Sequence, residues 1–221
     1  AEGFDAIFLG IGAWKDYQLR VEGETLKGCY TGIDFLTKFA VNQQSETPPY
    51  DISIGKKCIV IGGGNTAIDC VRTLVRCGAK EVSIVYRRTR AEMPANDVEI
   101  VAAEHEGVDF HFLAAPTRII GDENGRATHL EYQKMELGEP DASGRRRPVP
   151  IEGSETLMEA DMIITAIGQG PDVSFAQEDE RVKDMAFTRW STIDADPEIL
   201  QSSVPHRSEE HTSELQSLLI I

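Results

Sequence analysis

The stretch Val60-Ile61-Gly62-Gly63-Gly64-Asn65-Thr66-Ala67 constrains this chain more than any other. An apolar run at residues 57–61 (KCIVI) ends in three glycines and passes at once into an amphipathic segment, residues 66–76, that stops before Gly78. A strand, a tight turn and a helix in that order leave the first N–H groups of the helix unpartnered and its positive end at the turn. Gly62, Gly64 and Ala67 match G-x-G-x-x-A. The first glycine permits the turn, the second lets backbone approach a pyrophosphate, and the small third residue lets helix pack on strand. The pattern predicts a dinucleotide loop. A glycine-rich turn used only for packing is the alternative. A second glycine pair, Gly10 and Gly12, also follows an apolar run, but Lys15 stands where a third small residue would be needed, so it fails as an independent phosphate loop.

What surrounds the loop supports the dinucleotide reading. Residues 81–86 (EVSIVY) read as a strand, 97–106 as a helix and 108–113 as a third strand, giving a βαβαβ unit with a parallel sheet. The alternation then stops. Residues 117–120 and 128–137 read as strands joined by the turn Asp122-Glu123-Asn124-Gly125, residues 138–150 as a long loop, and 161–166 (DMIITA) as one more buried strand. The expected fold is α/β, a Rossmann-like NAD(P)-binding domain with an antiparallel excursion in place of one crossover helix. Upstream, residues 4–9 read as a strand, 32–39 as a helix and 42–50 as a polar connector.

The end of the second strand should carry cofactor choice. An NAD site places Asp or Glu there for the ribose hydroxyls; this chain has Tyr86-Arg87-Arg88-Thr89-Arg90. A carboxylate would repel a 2′-phosphate, whereas the guanidinium groups of Arg87, Arg88 and Arg90 would bind one through charge-assisted bonds. The sequence therefore favours NADPH over NADH.

Charge excludes other partners. With 37 acidic against 22 basic side chains, the net charge of −15 disfavours nucleic acid and anionic membranes. The basic segment 144–150 (GRRRPVP) lacks aromatic interleaving and reads as a solvated or domain-contact loop. Cys29, Cys58, Cys70 and Cys77 form no C-x-x-C pair, so neither a zinc knuckle nor a dithiol centre is expected. Reduced thiols and the absence of a signal-peptide pattern suggest a cytoplasmic protein. No tyrosine has a lysine four positions on, which removes a short-chain dehydrogenase. Asp34, Asp69 and Asp97 read as capping or core acids, and no residue is assigned catalysis.

The residues also resemble a known family, the small (beta) subunit of NADPH-dependent glutamate synthase and related FAD-dependent oxidoreductases. The likeness rests on GFDAIFLGIGA (3–13), GIDFL (32–36), IGGGNTAIDC (61–70), VYRRTRAEMPA (85–95), MELGEPDASGRRRPVPIEGSE (135–155) and ADMIITAIGQGPD (160–172). It implies an FAD domain interrupted by an NADPH domain, with hydride passing to flavin and electrons on to an iron–sulfur domain or subunit, and in some members a large catalytic subunit. It further implies that Gly62, Gly63, Gly64, Asn65, Thr66 and Ala67 hold the pyrophosphate and that Ala166 and Gly168 close the nicotinamide side. Gly10 and Gly12 would face the flavin.

The implied divisions are 1–14 as FAD-domain remnant, 15–55 as connector with one helix, 56–166 as NADPH domain and 167–206 as the return to the FAD domain. Residues 207–221, beginning RSEEHTSELQS, back-translate into a sequencing adapter and are expected to carry no function. On this reading the chain is a piece of a longer enzyme, inactive alone. The alternatives are a non-catalytic NADPH-binding module and a relative of the ferredoxin–NADP oxidoreductase type. The purified 221-residue chain is expected to lack stoichiometric flavin absorbance; finding it would contradict the expectation.

Overall fold

The computed structural model describes residues 7–142, 144–178, 182–204 and 207–209. The chain forms two compact units, one spanning Asp16–Gly168 and the other combining Ala1–Lys15 with Gln169–Ile221. Its elements begin with β1 (Ile7–Leu9), β2 (Lys15–Asp16), β3 (Cys29–Thr31), α1 (Gly32–Gln44), β4 (Lys57–Ile61) and α2 (Asn65–Arg76). They continue with β5 (Glu81–Tyr86), a 3-10 turn (Arg90–Glu92), α3 (Asp97–His105), β6 (Asp109–Phe112), β7 (Ala114–Gly121) and β8 (Ala127–Pro140). Last come β9 (Arg146–Pro150), β10 (Thr156–Glu159), β11 (Met162–Thr165), β12 (Gln169–Gly170), α4 (Phe175–Glu178) and β13 (Arg207–Glu209).

The larger unit is built on a parallel sheet of order β3-β11-β4-β5-β6. Successive side chains of a strand face opposite ways, and both faces of this sheet are covered. That is why β4 and β11 are nearly continuous apolar runs rather than alternating ones. On one face Val60, Ile84, Met162 and Ile164 pack with Ala67, Ile68, Val71 and Leu74 of α2, Ile100 of α3 and Phe35 of α1. On the other, Ile59, Ile61, Val85 and Ile163 meet Ile119, Ala127 and Leu130 from an antiparallel sheet of order β10-β8-β7. The antiparallel layer thus takes the place of helices on that face.

The strands expected at residues 57–61 and 81–86 coincide with β4 and β5, and the helix after the glycines is α2. Three expectations are corrected. The segment 138–150 is not a loop. It completes β8 and forms β9, in antiparallel register with Met135 opposite Pro150 and Pro140 opposite Arg146. Pro148 and Pro150 are tolerated because, among the described residues, β9 pairs with β8 alone, and a proline disturbs an edge strand least. α1 runs on to Gln44, taking in the start of the expected connector. The stretch before it supplies β3, which pairs in parallel with β11 through Ile164 and Tyr30.

In the smaller unit β1 pairs in parallel with β13, and Ala176, Val182, Met185 and Ile193 form a core joined by Leu9, Ile11, Phe175, Phe187 and Val204. The expected strand at residues 4–6 and the tail at 210–221 lie outside the described residues. No helix among the described residues is long and apolar enough to cross a membrane.

Leu130 is fully buried on β8, while Leu157, on the neighbouring β10, is 55% exposed. Leu130→Ala should cost about 2–5 kcal/mol of unfolding free energy and Leu157→Ala under about 0.5 kcal/mol. Urea denaturation checks this, and equal losses would contradict the layering.

Candidate dinucleotide site

Two helices of the larger unit begin where parallel strands end, α1 directly after β3 and α2 after β4. This is the end of an open α/β sheet at which ligands bind. Only one of the two helix starts is open. The Asp16 carboxylate accepts the N–H groups of Ile33 at 3.2 Å and Asp34 at 3.3 Å, so α1 already has an anion at its positive end. No side chain caps α2. The N–H groups of Ala67 and Ile68 turn back to the Gly64 carbonyl, while those of Gly63, Gly64 and Asn65 meet no acceptor among the described residues.

The glycines divide the labour as the motif requires, with one addition. Gly62 has φ +146°, and a Cβ there would lie 2.1 Å from the Ala166 carbonyl oxygen, so it joins the tip of β4 to the end of β11. A Cβ at Gly63 would meet the Tyr86 ring at 2.6 Å. A Cβ at Gly64 would meet nothing within 4 Å. The open side of the turn is therefore the Gly64 side, facing the free N–H groups. Ala67 is fully buried against the sheet.

The turn after β5 is bolted to this loop. Ala95 donates its N–H to the Gly63 carbonyl at 3.2 Å, and Asn96 donates to Asn65 Oδ1 at 2.9 Å. The Asn65 side-chain oxygen thus fixes the neighbouring turn while its backbone N–H meets no acceptor among the described residues. Tyr86 donates its hydroxyl to the Glu92 carbonyl at 2.8 Å. Glu92 in turn accepts the Thr89 N–H at 3.1 Å and the Thr89 hydroxyl, closing a capping box. The Thr89 hydroxyl is the chief reason the Glu92 carboxyl lies below its usual range. Its contribution to the turn is present at neutral pH and is lost as pH falls through the lowered value.

The three arginines fare differently. Arg87 is exposed and has no ion pair or hydrogen-bonded side-chain partner among the described residues. Arg88 points inward, 5% exposed, with Asp141 Oδ2 at 2.7 Å and the Arg146 carbonyl at 2.8 Å. Arg90 is held by Asp97 at 2.8 Å and Glu104 at 3.6 Å. The expectation of three guanidinium groups converging on one phosphate is corrected: one is free, one is buried and one is paired with carboxylates.

Ala166 is buried beside Gly62, and Gly168, with φ +121°, accepts the Tyr17 N–H through its carbonyl. Gly10 and Gly12 belong to the smaller unit, Gly12 with φ +64°. Asp16, Tyr86, Glu92, Asn96 and Asp141 were missed from the sequence, where each is an ordinary residue far from its partner or in a turn. The four cysteines are free, and burial pushes Cys29 up to about 11 and Cys58 up to about 12, which makes them poor nucleophiles. A groove of about 320 Å³ lined in part by Lys57, Glu81 and Asp109 lies at the opposite ends of β4, β5 and β6 from the glycine turn.

A parallel sheet with an open glycine turn and an uncapped helix start defines the dinucleotide-binding class of oxidoreductase folds. The chain belongs to the pyridine nucleotide-disulphide oxidoreductase family, whose model matches residues 2–206. It is 47% identical over 196 residues to the NADPH-Fe(3+) oxidoreductase subunit beta of Geobacter sulfurreducens, covering 86% of this chain and 27% of that protein. It is 40% identical over 172 residues to the glutamate synthase [NADPH] small chain of Escherichia coli, covering 76% and 36%. Among solved structures, Mycobacterium tuberculosis FprA in complex with NADPH superposes with a TM-score of 0.71 at 18% identity, covering 93% of this chain and 57% of that one. The chain thus spans about a quarter to a third of the length of these two curated relatives.

Gly64→Ala should leave the melting temperature within about 2 °C while weakening dinucleotide binding, because the methyl enters only the open side of the turn. Gly62→Ala should lower stability by more than about 2 kcal/mol, since both φ and the Ala166 carbonyl oppose it. Thermal melts of both variants, with a nucleotide titration of the first, check the assignment.

Proposed function

We propose that this chain is the NADPH-binding part of an NADPH-dependent flavoprotein oxidoreductase of the glutamate synthase small-subunit type. The observation that carries the reading is the uncapped start of α2, open at Gly64, near a turn that carries the unpaired Arg87. The residues present fit a phosphorylated dinucleotide. Gly63, Gly64 and Asn65 would offer their N–H groups to the pyrophosphate, Thr66 and Ala67 would form the first turn of helix behind it, and Gly62 would shape the bend. Arg87 would take the 2′-phosphate, with Arg90 a more distant positive charge held back by Asp97 and Glu104. Ala166 and Gly168 would close the nicotinamide side, and Gly10 and Gly12 are assigned to the flavin side.

Bound there, NADPH supplies hydride to a flavin, FAD on the family likeness, whose electrons go on to an iron–sulfur domain or subunit. The names of the relatives support this placement: two specify NADPH, and both denote one component of a larger enzyme, a subunit or a small chain. A large catalytic subunit is the further partner on the glutamate synthase likeness. The chain's own contribution is to bind and orient the cofactor; none of its side chains is assigned a proton transfer.

Loss of one charge-assisted interaction costs roughly 1.5–3 kcal/mol, so Arg87→Ala should weaken NADPH binding by about tenfold or more and leave NADH binding nearly unchanged. Calorimetric titration of both nucleotides checks this. Equal affinity of wild type for NADPH and NADH would overturn the cofactor assignment. NADPH binding without turnover of a supplied electron acceptor would show that this chain by itself is a binding module.

A further inference from the structure

The basic segment 144–150, read from sequence as a solvated or contact loop, has a specific attachment in the structure. Its residues 146–150 form β9, and the Arg146 carbonyl accepts Arg88 Nε while the Asp141 carboxylate at the preceding bend accepts Arg88 Nη2. Arg88 is the residue next to Arg87. We propose that Arg88 and Asp141 form a positioning pair: they lock the β8–β9 hairpin to the arginine turn and thereby aim Arg87 at the 2′-phosphate of NADPH. This inference rests on the function proposed above and adds residues to the discrimination between NADPH and NADH.

The argument begins with burial. A guanidinium that is 5% exposed has lost nearly all its water, so it stays only where a carboxylate and a carbonyl replace that water. Asp141 is itself largely shielded, with a side chain 23% exposed. The pair therefore has one geometry, unlike a surface ion pair with many.

Position in the chain supplies the next step. Arg87 and Arg88 lie in the bend that follows β5, where Arg88 is buried and Arg87 exposed. Anchoring Arg88 inward holds this bend and with it the backbone from which Arg87 projects. The other flanks of Arg87 are fixed too: Tyr86 through its hydroxyl to the Glu92 carbonyl and its ring against Gly63, and Thr89 through Glu92. Arg87 thus combines a backbone held on both flanks with a head unpaired among the described residues, so taking an anion requires no existing ion pair to break. Asp141 does this from far along the chain, and it also accepts the Arg145 N–H at 3.3 Å, so the bend that presents it is closed by the same carboxylate.

The test uses the full chain and four variants, Asp141→Asn, Arg88→Lys, Arg87→Ala and the double variant R87A/D141N. NADPH and NADH dissociation constants are measured by calorimetry and folding by circular dichroism. Asp141→Asn should raise the dissociation constant for NADPH by about fivefold or more, within the coupling expected of residues sharing a network, and that for NADH by less than about twofold. In the Arg87→Ala background, Asp141→Asn should add no further loss for NADPH. Arg88→Lys, which keeps the charge but not the fork that spans Asp141 and the Arg146 carbonyl, should show the same selectivity loss; it stands in should Asp141→Asn fail to fold.

Equal weakening of NADPH and NADH, or additive effects in the double variant, would make the pair merely structural and overturn the proposal. So would Arg87→Ala weakening NADPH while Asp141→Asn and Arg88→Lys leave the NADPH-to-NADH ratio unchanged. If Arg87→Ala itself changes nothing, the 2′-phosphate assignment fails first and the positioning proposal falls with it.

Discussion

The approach of Gly62 to the Ala166 carbonyl is the contact on which the rest of the larger unit depends. A backbone at φ +146° with a carbonyl 2.1 Å from where Cβ would stand admits only glycine. Through it the chain turns sharply at the end of β4, the central strand of the sheet, α2 starts immediately, and the end of β11 closes beside both. The hydrogen bond from the Ala166 N–H to the Ile61 carbonyl at 2.8 Å holds the same junction from the other side. The apolar faces of α2 and the sheet then bury Val60, Ile68, Val71 and Leu74 together. The same geometry that packs the core leaves the N–H groups of Gly63, Gly64 and Asn65 without an acceptor among the described residues.

Internal capping distinguishes the helix starts. Helix N-termini attract anions in general, and α1, α2 and α3 all begin at this end of the sheet. Asp16 answers α1 and the Asn96 side chain caps α3, whereas no side chain among the described residues caps α2. In a chain of net charge −15, an anionic ligand is drawn only where local dipoles and cations outweigh the surrounding carboxylates. Among the described residues Arg87 is unpaired, and the nearby Arg88 and Arg90 are committed to Asp141 and to Asp97 and Glu104. The charge this turn leaves open is therefore set by the pairing of its cations more than by their number.

The fold around the glycines was legible because each of its elements carries a distinct signal. β4 and β11 are unbroken apolar runs, α2 has helical spacing, and Gly78 closes it. Other elements carry none. β3 is three residues long and half-buried, so it has too little pattern to show a period. β9 contains two prolines and two arginines and four of its five residues are exposed, a composition that reads as loop until its partner is known. The site was legible to the level of residue type and no further. Three nearby arginines announce affinity for phosphate, but they follow the end of β5 in a bend and a 3-10 turn, where no period sets the side of each residue, so nothing in the sequence says that Arg88 is the one turned inward. Its partner Asp141 lies too far along the chain for any local rule to connect them.

The most direct test of the central claim follows the backbone amides of isotope-labelled protein by NMR during titration with NADPH. The largest and saturable shifts are expected at Gly63, Gly64 and Asn65, with a second group around Arg87 and little change at Ile33 and Asp34, whose N–H groups Asp16 already occupies. Saturable shifts that spare the glycine turn, whether confined to the α1 start or to the groove at the far ends of the strands, would contradict the account.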